Sequence, residues 1–546
     1  MTSMHKLAIL ISAAACGTGI ANAAFTYPGC KDVVAADLKV VPIVTRATDK
    51  IEEPMKMAFD LLAAPGEDAK GKVDVYFTER MGNLRKSDSK TSTVKTLGTL
   101  TLTVDQGNSS DGLLGIALDP AFKTNHNIFM YYSSIGATVK EWRVSRFTLN
   151  AANDKLDPAN EVVVLRVPIH GGSKHPGGAI QFDAYGDLWI SVGNDYYNGD
   201  FPVWSSANTN DLRGKILRIH PTADGKYSIP AGNLFASGTA LTKPEIYIMG
   251  NRNPYTITLE PVKRWLLWGD VGPDGTDMDG KVMNATGATE KTEEYDLAQA
   301  PGNYGYPFWA GDHMTKSGMN AAAPVIPAET NWNGYTPGMT NLPAAVAPIY
   351  AYHKSCAITG PLVRFDGALK SSIKLPPHFD KHWMVTDFNG ANQKITVFSL
   401  DAAGKAITAE EALPGVALHG PLDMQQGPDG ALYVSNYGGV WRNVEANTGI
   451  VRVEYTGDCA VSTVDRRGEA NLAPKVSFSK TAGFAVMVGT TSRFDLVVRD
   501  LRGRPLVSKS AQGAAPVSLD EIKQPGVYFL TVRSPEGDQV VKFAKD

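Results

Sequence analysis

Cysteine is scarce in this chain: four in 546 residues, at positions 16, 30, 356 and 459. Spacings this wide hold no metal-cluster pattern. An excess of one charge is also missing. Lys and Arg total 53 against 56 Asp and Glu, a net charge of −3, so no single-sign field points to nucleic acid or an anionic membrane. Long apolar runs are absent. The longest, near the start, is about ten residues, and a membrane helix needs about 20. Long helical periodicity is absent too. What remains is rich in turns: 53 Gly and 33 Pro, in a chain long enough for two or three units or for one large β-fold with an appendage.

The chain opens "MTSMHKLAILISAAACGTGIANAAF". A basic start, a short apolar run and "ANA" before Ala24 read as a secretory signal peptide over 1–23, so the mature protein is expected to be exported. A second reading makes Cys16 a lipid-modified cysteine, although "SAAA" before it lacks the usual large aliphatic residue. Export permits disulfides. Cys30 and Cys459 flank the large middle region, and a bond between them would tie its ends, but sequence does not give their separation.

An alternating, aromatic-rich pattern closed by a polar or glycine turn recurs six times. It runs through "KVDVYFTERMGN" (72–83), "HNIFMYYSSIG" (126–136), "GDLWISVGND" (186–195), "RWLLWGDVG" (264–272), "KHWMVTDFNG" (381–390) and "GALYVSNYGG" (430–439). Such alternation signals strands. Six repeats at about 60-residue spacing, with a long insertion near 274–350, predict a six-bladed β-propeller over 24–459. A pair of β-sandwiches is the alternative. The pattern breaks at 460–474, which reads as a linker. The short strands of 475–546 predict a small Ig-like β-sandwich, similar in its ending to sorting or attachment modules of secreted enzymes. A domain with no transport role fits that segment equally.

Four stretches could carry chemistry. "HGGSKHPGG" (170–178) sets His170 and His175 among glycines, which let backbone approach a ligand closely. "NRNP" (251–254) flanks Arg252 with two amides. "GDVGPDG" (269–275) is a turn rich in carbonyls and carboxylates, the oxygen chemistry hard cations prefer. "EEYDLAQAPGNYGYPFWAGDH" (293–313) follows acids with glycine and aromatics. Each has a plainer reading as a turn or an inter-blade contact. Inter-strand loops of a propeller gather at the channel mouth, so residues from different blades could meet there.

Taken together, these stretches resemble the quinoprotein glucose/sorbosone dehydrogenase family, which binds pyrroloquinoline quinone (PQQ). The similar segments include "VYFTERMGNLRK", "DGLLGIALDPAFKTNHNIFMYYSS", "KHPGGAIQFDAYGDLWISVGND", "DLRGKILRIHP", "EIYIMGNRNPYTITLEP", "GDVGPDG", "EEYDLAQAPGNYGYPFWAG" and "PLDMQQGPDGALYVSNYGG", in family order across roughly 35–457. The resemblance implies a six-bladed propeller that oxidises the anomeric hydroxyl of an aldose and passes electrons to an external cytochrome or quinone. It implies His175 as general base, with Arg252 and Asn253 beside the cofactor's reactive carbonyls. The carbonyls of Gly272 and Pro273 fall on a calcium site. Tyr255 stands where glucose-oxidising members carry glutamine, and is expected at the cofactor. "HGPLDMQQGPDG" lacks the arginines that bind the cofactor's carboxylates; Lys354 is the nearest replacement. Two other readings stay open: a calcium-dependent lactone hydrolase, and a non-catalytic carbohydrate-binding propeller attached to a surface through its C-terminal module.

Overall fold

Each of the six aromatic-rich stretches forms the second strand of a sheet in the computed structural model of the chain; five of these sheets are four-stranded and antiparallel, and the one holding Leu188–Val192 has an antiparallel core of four strands extended to six. The structure describes residues 33–457 and 475–545, except 105–109, 136–139, 170–173, 196–203, 261–263, 274–281, 284–288, 291, 312, 315–336, 353–355, 390, 402, 442, 480–484, 490–492, 500–504, 513–515, 525 and 535–536. The leader at 1–23, Cys30, Cys459, the linker at 460–474, His170 and Lys354 all lie outside the described residues.

Second strands stand out in sequence because they are covered on both faces. Val73–Glu79, Leu188–Val192, Leu266–Asp270 and Leu432–Asn436 are buried along their whole length. The first strands of the sheets, Pro54–Leu61, Leu113–Leu118, Gly177–Phe182, Pro254–Leu259, Ala357–Leu362 and Pro421–Gln426, touch one another in cyclic order. They form the inner wall of a ring of six blades, numbered one to six in that order. Burying a Val, Leu, Ile or Phe side chain between blades contributes about 1.5–3 kcal/mol.

Blade six is completed from the start of the chain. Leu38–Thr45 pairs antiparallel with Gly449–Tyr455, from Leu38 opposite Tyr455 to Thr45 opposite Gly449. Backbone hydrogen bonds thereby join the two ends of the ring. Blade four also departs from the simple pattern. The stretch read as one insertion at 274–350 contains that blade's third strand, Glu293–Ala298, before its fourth, Tyr350–Tyr352. Gly302–Asn303, between them, pairs in parallel with Ile246–Met249 at the outer edge of blade three.

Beyond the propeller, Lys475–Ser479, Ala485–Gly489 and Val517–Ser518 form one sheet, and Pro505–Gln512, Arg493–Arg499, Gly526–Ser534 and Gly537–Lys545 another. Val486, Phe494, Leu496, Val507, Leu530 and Val532 share one buried core between them, which is the layering of a β-sandwich.

Candidate functional site

A four-stranded meander puts the start of its first strand and the end of its second at the same end of the sheet. His175 lies just before Gly177–Phe182, and Asn194 just after Leu188–Val192. Arg252 and Asn253 precede Pro254–Leu259, and Gly272 and Pro273 follow Leu266–Asp270. All therefore gather at one mouth of the ring, at the seam between blades three and four.

His175 has φ +58°, in the left-handed region that non-glycine residues rarely occupy. Its Nδ1 lies 2.8 Å from Asn194 Oδ1. An amide oxygen only accepts, so Nδ1 carries the hydrogen and Nε2 keeps a lone pair. The residue retains some exposure at the mouth, but its ring is surrounded mostly by protein. Burial, aided by the nearby Arg252 cation, holds the imidazole well below the usual histidine range, so it is neutral at pH 7.

The glycines around it answer to protein packing. A Cβ on Gly193 would collide with the His175 carbonyl, and one on Gly177 would press on the Ser191 carbonyl at 2.8 Å. On Gly178, whose φ is +105°, it would meet Leu114 at 2.9 Å. Gly177, Gly178 and Gly193 thus serve close packing within the protein, and Gly171 and Gly172 lie outside the described residues.

Arg252 is buried, with Nη1 donating to the Val271 carbonyl at 3.1 Å. The backbone N–H groups of Arg252 and Asn253 donate to the two oxygens of Asp270, at 2.8 and 2.7 Å. Asn253 Oδ1 accepts from Gly177 N–H at 3.0 Å, and Asn194 N–H donates to the Arg252 carbonyl at 2.8 Å. The seam is thus stitched in both directions. Burial pushes the Asp270 carboxyl up to about 7, against the pull of the two N–H donors and of Arg252.

The Gly272 turn packs so tightly that a Cβ there would collide with the Thr292 carbonyl. Gly272 N–H and Ala357 N–H both donate to Glu293 Oε2 at 3.2 Å. Among the described residues, Glu293 Oε1 and Thr292 Oγ1 are buried with no hydrogen-bond partner. Burial lifts the Glu293 carboxyl well above the carboxylate range, with Arg252 pulling it back. Orphaned buried oxygens beside a carbonyl-bearing turn suit a hard cation. Among the described residues no three His, Cys, Asp or Glu side chains surround a metal position, so such a site would draw mainly on carbonyl oxygens. The Arg252 cation and the Nδ2 of Asn194, buried with no hydrogen-bond partner among the described residues, give this end positive character that suits electron-rich quinone oxygens.

Tyr255 is buried at the first strand of blade four. Its ring covers Lys56 Nζ at 3.9 Å, and its hydroxyl has no hydrogen-bond partner. Asn194, Asp270 and Glu293 were not singled out from sequence, although each stands inside a quoted segment: "SVGND", "GDVGPDG" and "EEYD". Their signal was a polar residue at the end of a strand otherwise built for burial.

The sequence profile of the family "Glucose / Sorbosone dehydrogenase" matches residues 67–439. The chain is 25% identical over 325 residues to aldose sugar dehydrogenase YliI of Escherichia coli, covering 59% of this chain and 73% of that protein. It is also 25% identical over 302 residues to quinoprotein glucose dehydrogenase B of Acinetobacter calcoaceticus, covering 48% and 58%. Among solved structures, the PQQ-bound form of aldose sugar dehydrogenase from Streptomyces coelicolor superposes with a TM-score of 0.51 at 20% identity, covering 77% of this chain and 98% of that one. The apo-form of the Escherichia coli aldose sugar dehydrogenase gives 0.51 at 20%, covering 77% and 99%. Both establish a common fold.

Proposed function

Because the chain belongs to the glucose/sorbosone dehydrogenase family, we propose that it oxidises a hydroxyl of an aldose or related polyol, as an exported quinoprotein with PQQ and calcium. The observation that carries this is the neutral His175, held by Asn194 at the seam where the buried Arg252 sits. When bound, PQQ supplies a two-electron acceptor for hydride from the carbinol carbon, and calcium a Lewis acid that polarises it.

The protein's own part is positional and electrostatic. Nε2 of His175 takes the hydroxyl proton, and the Asn194 amide keeps Nδ1 protonated so that Nε2 is the basic atom. Arg252 sets a fixed cation where negative charge grows on the acceptor. Asn253 spends its Oδ1 on Gly177 N–H, which leaves its Nδ2 for a ligand oxygen. The carbonyls of Gly272 and Pro273, with Glu293 and Thr292 behind them, would hold the cation. Tyr255 and, beyond the described residues, Lys354 are proposed as further cofactor contacts.

Export rests on the first 23 residues; no helix among the described residues is long and apolar enough to cross a membrane. The electron acceptor is taken to be an external cytochrome or quinone. The test is reconstitution of apoprotein with PQQ and calcium, followed by dye-linked oxidation of an aldose panel. Turnover that requires PQQ is the expected result, and failure to take up PQQ at micromolar concentration overturns the reading. Lactone hydrolysis without PQQ, abolished by a chelator, would favour the hydrolase instead.

A further inference from the structure

We propose that Asp270 is a positioning residue, whose single carboxylate sets the geometry of both sides of the site. This inference rests on the PQQ reading only for its ligand. One oxygen of Asp270 accepts from Arg252 N–H at 2.8 Å, and the other from Asn253 N–H at 2.7 Å. Asn253 then passes the constraint across the seam, through Oδ1 to Gly177 N–H, two residues beyond His175. The return path runs from His175 Nδ1 to the Asn194 side chain, and from Asn194 N–H to the Arg252 carbonyl. The circuit closes on itself through six residues and two blades, and Asp270 is its one carboxylate.

Two donors converge on Asp270, so the position needs two acceptors. A carboxylate offers both; an asparagine offers one acceptor and one donor, and would set an amide against a backbone N–H. The cost of such a mismatch in a buried network exceeds that of the missing bond alone. Asp270 sits on the second strand of its blade, paired with Pro254 and Glu294, behind the residues that would meet a ligand. It therefore acts through Arg252 and Asn253.

The neighbouring strand supplies a control. Asp296 faces Trp268 across the same sheet, is equally buried, and among the described residues neither of its oxygens has a hydrogen-bond partner. Among the described residues it makes no hydrogen bond to the circuit, although its carboxyl, raised by burial, lies close enough to those of Glu294 and Asp270 to be pushed up further by them. Asp270→Asn and Asp296→Asn thus make the same chemical change at similar depth, one inside the network and one outside.

The experiment titrates PQQ, with calcium, into wild type and both variants, following cofactor absorbance, and then measures sugar turnover. Asp270→Asn is expected to weaken PQQ binding by about tenfold to a hundredfold and to lower kcat, with the sugar KM within about twofold. Asp296→Asn is expected to leave PQQ affinity within about twofold of wild type. Equal losses in both variants, or no loss in a folded Asp270→Asn, would overturn the proposal. A second measurement needs neither cofactor nor variant. In wild-type apoprotein, amide hydrogen exchange at Gly177, Arg252 and Asn253 should proceed at one common opening rate, as one unit. Independent rates would overturn the circuit. Should wild type take up no PQQ while these three amides open together, the functional reading fails and the positioning role stands.

Discussion

The two ends of the propeller channel are walled by the same six inner strands and are chemically unlike. At the far end lies a cavity of about 350 Å³ lined by Lys56, Gln181, Thr256, Thr258, Asp423 and Gln425, among others. Its polar groups are engaged by protein. Lys56 Nζ donates to the Leu422 carbonyl at 2.7 Å, Thr258 to the Gly360 carbonyl at 2.8 Å, and Gln425 to the Met57 carbonyl at 2.9 Å. At the mouth, by contrast, Asn194 Nδ2, Glu293 Oε1 and Thr292 Oγ1 are buried with no hydrogen-bond partner among the described residues. A buried polar atom left unpaired costs about 1–3 kcal/mol. The far end is finished as structure and the mouth is not.

Substitutions at the two ends should therefore separate turnover from stability. The largest effect is expected from His175→Ala: kcat falls by about 10²–10⁴-fold while PQQ uptake persists. A turnover assay beside a PQQ titration checks both halves. Next comes Asn194→Ala, which frees the imidazole to rotate and change tautomer; a loss of about tenfold in kcat, with PQQ affinity little changed, is the expected result. Gly193→Ala forces a methyl group onto the His175 carbonyl and should lower stability by about 1–3 kcal/mol in urea unfolding, with activity lost in the surviving folded fraction. Smallest is Gln425→Ala at the far end. It should cost about 1 kcal/mol of stability and leave kcat within about twofold; a tenfold loss of turnover there would erase the contrast between the two ends.

The same contrast has a pH signature. His175 is neutral in the fold, and an unfolded histidine titrates near about 6.5. Below that pH the unfolded chain binds a proton that the folded chain refuses, so stability falls as pH drops, by up to about 1.4 kcal/mol per unit for this group. Above it the group contributes no slope. Urea unfolding from pH 7 to pH 5 should show a steeper loss in wild type than in His175→Gln. In turnover, His175 should add no inflection to kcat/KM between pH 8 and about 6, because the base remains unprotonated there, whereas Asp270, pushed up to about 7, titrates within that window.

The six blades were legible because their second strands are buried on both faces and spell out apolar, aromatic alternation. Leu38–Thr45 was not, since its partner lies more than 400 positions away and pairing at that distance leaves no local pattern. Glu293–Ala298 was hidden for another reason: "EEYDLA" carries three carboxyls where the other blade strands are apolar, so it was taken into the insertion, yet all three are buried. At the site, the stretches holding His175, Arg252, Asn253 and the Gly272-Pro273 turn stood out by residue type, their roles came from the family resemblance, and the fold sets these segments at one end of the ring. The roles of Asp270 and Asn194 depend on which backbone N–H groups converge on them, and that is decided by the packing of blade three on blade four. The glycines were legible as close approaches, but whether to ligand or to strand is a tertiary matter.

The most direct test is a side-by-side titration of wild-type and His175→Ala apoprotein with PQQ and calcium, followed by addition of an aldose and an electron-accepting dye. Both proteins should bind PQQ, and only wild type should reduce the dye at an appreciable rate. Absence of PQQ uptake by wild type, or undiminished turnover in His175→Ala, would contradict the account.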